Sequence, residues 1–129
     1  MDTVDLDFAP YAQQLLETMR VQIDYAADNV ESFESMRELL AAPVMQLKAN
    51  GGMFSYPLVS NVADIALQFL DSVLEINDDT IDVLRAHYKT IQIIMNNNLK
   101  GTGGKEGDAL VLELKKACNR YFTKHKSRT

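Results

Sequence analysis

The chain of 129 residues is expected to fold as one all-α domain over residues 1–129, an up-and-down antiparallel helical bundle. Three observations predict this. Apolar residues recur at three- and four-residue spacing through most of the chain, helix breakers are confined to a few places, and no stretch alternates polar and apolar residues as a half-buried strand would. Prolines stand only at 10, 43 and 57, and glycines only at 51–52 and between 101 and 107. A hydrophobic fraction of 47% and a charged fraction of 24% are ordinary for a globular domain and argue against wholesale disorder.

From Phe8 to about Val30 the residues Tyr11, Leu15, Leu16, Met19, Ile23, Ala26, Ala27 and Val30 mark a first amphipathic helix, with Pro10 placed in its first turn. A second runs from about Ser32 to Asn50 on Phe33, Met36, Leu39, Leu40, Val44 and Leu47, and Pro43 in its middle predicts a kink or a break. Gly51 and Gly52 are expected to give it a left-handed end, with Met53, Phe54 and Tyr56 packing the turn back on the bundle. The third and most apolar helix is expected from about Tyr56 to Ile76, with Pro57 suited to its first turn. Asn77-Asp78-Asp79-Thr80 then supplies capping side chains and negative charge for a fourth, which Asn96-Asn97-Asn98 should end. After a flexible glycine-rich turn, Ala109 to Phe122 forms the last helix, trailing into a flexible polar tail at 123–129.

Composition excludes several functional classes. Eighteen acids against 13 lysines and arginines leave a formal net charge of −5, which argues against a chain that lives on nucleic-acid phosphates. A single cysteine, Cys118, forms no internal disulfide, and the start MDTVDLDFAP has neither the basic nor the apolar region of a secretion signal, so a cytoplasmic location is expected. Apolar runs such as Ile91 to Met95 fall far short of the roughly 20 residues of a membrane span. Charge is also uneven along the chain: acids dominate before Leu40, and lysines and arginines dominate after Glu113, as expected of a solvated face with cations late in a helix.

Motifs for chemistry fail on their spacing. A phosphate loop ending at Gly104-Lys105 would need glycine at Leu99 and serine or threonine at Glu106. A helical di-metal site would place a glutamate three residues before a histidine, where Leu84 precedes His87 and Phe122 precedes His125. Asp64, Asp71 and Glu75 share nearly one helical face and are expected to point into solvent. Nothing resembles a nucleophile elbow, so no enzyme activity, cofactor or metal is expected. His87 lies among Leu84, Ile91 and Ile94 and is expected to be a packing or capping residue rather than an exposed nucleophile.

Residues 44–73 carry a resemblance. Lys48, Gly51, Gly52, Phe54, Tyr56, Pro57 and Leu58 stand where a pattern near H-x-x-K-G-x-G-G-x-F-x-Y-P-L has the same residue types, and this stretch resembles the central helix pair of bacterial histidine phosphotransfer domains. The stretch AHYKTIQIIMNNNLKGTGGKEGDAL is similar to their last part, and together the similar parts span roughly residues 31–118. The resemblance implies a four-helix core with an additional helix. It also implies an exposed histidine that takes phosphate from a receiver domain, a lysine one turn later that neutralises the phosphoryl oxygens, and a small residue that lets the receiver approach.

This chain departs from the pattern at its centre. Met45 stands in place of the histidine, and a thioether cannot accept a phosphoryl group; Ala49 replaces the glycine after the lysine and is still small. The expected function is therefore a pseudo-phosphotransfer signalling module of a two-component system. It would bind a response-regulator receiver domain or a histidine kinase through Met45, Gln46, Lys48, Ala49, Asn50 and Gly52, with Gly52 allowing close backbone approach. Lys48→Ala is expected to weaken binding to a phosphorylated receiver more than to an unphosphorylated one. Two alternatives are an active phosphotransfer protein using His87 as phosphoacceptor and a structural bundle that dimerises through apolar surfaces.

Overall fold

The computed structural model describes residues 3–127, with side chains from Phe8 onward. Five helices follow one another: α1 Thr3–Asp28, α2 Phe33–Gly51, α3 Pro57–Ser72, α4 Asp78–Asn96 and α5 Gly104–Lys124. No strand occurs among the described residues. Short connections join neighbours that pack on each other, so successive helices run antiparallel. Contacts of α1 with α2, α2 with α3, α3 with α4 and α4 with α1 close a four-helix ring, and α5 packs outside it against α3 and α4. The interior is filled by Phe8, Leu16, Met19, Ile23, Val44, Leu47, Val59, Leu70, Leu84, Ile91 and Ile94, all fully buried. Burial of each such side chain stabilises the bundle by about 1.5–3 kcal/mol relative to exposure.

The helix ends are set by local chemistry. Ser32 caps α2 by accepting from the Ser35 amide at 3.2 Å, and α4 opens with a capping box. There the Asn77 side chain accepts from the Thr80 amide at 2.9 Å while the Thr80 hydroxyl accepts from the Asn77 amide at 3.2 Å. Asn97 caps the end of α4, as the asparagine run predicts. Thr80 also meets the Tyr121 hydroxyl at 3.1 Å, which ties the end of α5 to the start of α4.

Several expectations are corrected. α1 starts at Thr3, so Pro10 lies inside it rather than in its first turn, and Val30 falls in the fully exposed connection. Pro43 does not break α2: it is buried inside a continuous helix, where packing against the core offsets the lost backbone donor. α3 stops at Ser72, because the backbone turns extended at Val73, and Leu74 is exposed.

Neither Gly51 nor Gly52 is left-handed. Gly51 is still helical, Gly52 has φ −65°, and the positive φ of 75° falls on Ser55. Phe54 and Tyr56 do pack the turn, each stacking on Phe8 at 5.3 Å, whereas Met53 is exposed. The glycine-rich turn is docked rather than free: the Gly101 amide donates to the Ser55 carbonyl at 3.0 Å and the Leu58 amide to the Gly101 carbonyl at 3.1 Å. The tail also begins later than expected, since α5 continues to Lys124 and His125 bonds Asp79 at 2.8 Å. No described helix is long and apolar enough to cross a membrane.

Candidate functional site

The face expected from the sequence lies on the last three turns of α2. Val44 and Leu47 point into the core, and the helical period then turns Met45, Lys48, Ala49 and Gly52 outward as one stripe at i, i+3, i+4 and i+7. Met45 is 58% exposed, one of several apolar side chains, with Val21, Ile93 and Leu112, that a helix turns to solvent. The backbone beneath is firm, because the Ser60 hydroxyl of α3 donates to the Lys48 carbonyl at 2.8 Å.

The six expected residues separate into two sets. Gln46 and Asn50 lie one step round the helix toward α1, where Tyr11 donates to the Gln46 side chain at 2.6 Å and Asn50 donates to the Gln46 carbonyl at 2.8 Å. Gly52 is exposed in the turn, and a Cβ added there would meet nothing within 4 Å. The close-approach glycine is its neighbour: a Cβ on Gly51 would lie 2.8 Å from the Ser60 amide nitrogen and 2.9 Å from the Tyr56 carbonyl. Gly51 therefore serves the internal packing of α2 on α3, and its role was not legible from the spacing alone.

Beside Met45 the α2 and α3 surfaces form a shallow groove of about 380 Å³. Ala41, Leu67 and Leu70 give it an apolar lining, and an ion pair between the two helices stands toward each end. One joins Arg37 to Asp71 at 3.0 Å; the other joins Lys48 to Asp64 at 2.7 Å. Asp71 is exposed, as expected, while Asp64 is partly covered, and both reach cations of α2 because the α2–α3 register sets them opposite. Glu75 accepts instead from Asn77 at 2.9 Å. Asp64 is held twice, since Gln68 donates to its other oxygen at 2.7 Å, and the Lys48 bond, helped by Gln68, keeps its carboxyl below the usual carboxylate range. Composition offered no signal for the Lys48–Asp64 pair, because two charges sixteen positions apart meet only once the register of two helices is known.

His87 takes the packing role expected of it and not that of the alternative phosphoacceptor. It is 0% exposed, and its Nδ1 lies 2.8 Å from the Val83 carbonyl. A carbonyl only accepts, so Nδ1 carries the proton and Nε2 is left as an acceptor without a partner inside the core. Burial lowers the imidazole pKa below its ordinary value. A phosphoaccepting nitrogen must reach a partner protein, and this one is sealed, so the alternative phosphoacceptor is withdrawn and the packing role stands. Cys118 is likewise unsuited to nucleophilic work, since burial pushes its thiol up to about 11. No cluster of three or more His, Cys, Asp or Glu among the described residues could hold a metal ion.

In comparisons with known proteins, no family model, no curated protein and no solved structure matches this chain.

Proposed function

We propose that this chain is a pseudo-phosphotransfer module: a cytoplasmic protein of a bacterial two-component system that docks a receiver domain or a histidine kinase on α2 and passes no phosphate. One observation carries the reading. At the position where the resembled pattern has its histidine, Met45 projects into solvent from mid-helix, with Lys48 one turn on and the small Ala49 beside it. That geometry suits close approach of a partner surface, and the flexible thioether can mould itself to a neighbour without reacting with a phosphoryl group. Of the two alternatives, phosphotransfer through His87 loses its support with the burial of that ring.

The test is a titration of isotope-labelled protein with receiver domains from the same genome, each with and without beryllofluoride on its acceptor aspartate. Backbone amide shifts centred on Met45 to Gly52 are the expected result. Shifts confined to other helices, or none with any receiver or kinase domain, would sink the proposal.

A further inference from the structure

The cation of the docking face is not free. Lys48 gives its ammonium to Asp64 at 2.7 Å, and Gln68 fixes that carboxylate from the other side. The groups facing the pair across the groove are Arg37, which pairs with Asp71 at 3.0 Å and with Glu34 at 2.9 Å, and Glu38 on the α2 rim. A doubly charged phosphoryl group brought to Met45 would therefore meet a lysine already neutralised and acids on both helices. To recruit Lys48 it must displace Asp64, whose charge would then stand beside it.

We propose that Asp64 is a specificity residue that masks Lys48 and makes this face favour the unphosphorylated form of its receiver. The inference rests on the docking reading above. It adds to the expectation for Lys48 alone: in the native chain Lys48→Ala also leaves the Asp64 charge unpaired, so the preference of the lysine itself for phosphate is read only when Asp64 is neutralised. The pair is half exposed, so its strength is that of a surface ion pair, and unmasking it corresponds to a change in affinity of about fivefold or less.

The experiment compares the native chain, Asp64→Asn, and Asp64→Asn with Lys48→Ala against one receiver domain in its plain and beryllofluoride forms. Asparagine keeps the shape and the bond to Gln68, and circular dichroism checks that each variant is folded. Asp64→Asn is expected to raise affinity for the beryllofluoride form by about three- to fivefold, with little change for the plain form, and the added Lys48→Ala to abolish the gain. An equal change for both forms, or none, overturns the inference.

If no receiver binds any of the three proteins, the docking reading fails. The mask is then read by titration with inorganic phosphate, with chloride as control. Amide shifts around Lys48 that are several-fold larger in Asp64→Asn than in the native chain support it, and equal shifts overturn it.

Discussion

Adjacent glycines at the end of α2 have opposite roles. A Cβ on Gly51 would press into the Ser60 amide of α3 at 2.8 Å and the carbonyl of Tyr56, just before it, at 2.9 Å, and backbone has no rotamer with which to yield. Gly51→Ala should therefore destabilise the bundle by about 1–3 kcal/mol. Gly52 has a right-handed helical φ and open space around it, so Gly52→Ala should be neutral or stabilising by up to about 1 kcal/mol. Urea unfolding of the two variants checks the contrast, and equal losses would mean that the α2–α3 approach is looser than described. Met45 offers a chemical counterpart: if its position is that of the missing histidine, Met45→His should acquire acid-labile, base-stable phosphate from a phosphorylated receiver. The native chain should acquire none, and a Met45→His protein that stays unlabelled beside a receiver it binds would place the docking site elsewhere.

Among the elements, α5 is the least embedded. Only Gly107, Leu114 and Tyr121 of its length are buried, whereas α3 and α4 bury residues in every turn. It is held at its start by the turn bonded to Ser55 and Leu58, and at its end by aromatic contacts of Phe69 with Tyr121 and Phe122. Tyr121 and His125 add bonds to Thr80 and Asp79. Local opening follows buried apolar contact, so amide protons of the middle of α5, near Leu112 to Lys116, should exchange faster than those of α3 and α4. Hydrogen exchange at neutral pH measures this. Protection in α5 equal to that of α3 would show the fifth helix to be a full member of the core.

For the whole molecule, acid should act in two stages. The folded state holds His87 neutral below its ordinary value, so the unfolded chain binds the extra proton first. The stability linked to His87 is thus complete above about pH 6.5 and is lost as pH falls from there toward the depressed folded value. Glu17, Asp24, Asp64 and Asp79 are also held low, first by bonds to Arg20, Arg85, Lys48 and His125 respectively. Their share persists to lower pH and disappears only as pH falls through their own folded values; being exposed, each is a small effect. Denaturant midpoints should fall between pH 7.5 and 5.5 in the native chain and much less in His87→Leu, both proteins retaining His125. A fall of the same size in both would show that the buried imidazole is not its source.

The sequence by itself determined the fold class, the five helices and most of their ends, because periodicity, prolines and capping side chains act within a few residues of chain. It also determined that Met45 and Lys48 share a face turned from Val44 and Leu47, since one helical period settles that. The tertiary structure alone decided the rest. Pro43 could sit inside a helix because burial of its ring in the core outweighs a lost hydrogen bond, and Gly51 rather than Gly52 became the close-approach residue because that depends on where α3 lies. The packing of His87 could be expected from Leu84, Ile91 and Ile94, but its complete sealing came from the ring that α1 to α4 close around it. Lys48 lost its freedom to Asp64 through the register of two helices. These last features are relations between segments distant in sequence, and no local pattern encodes a distance across a bundle.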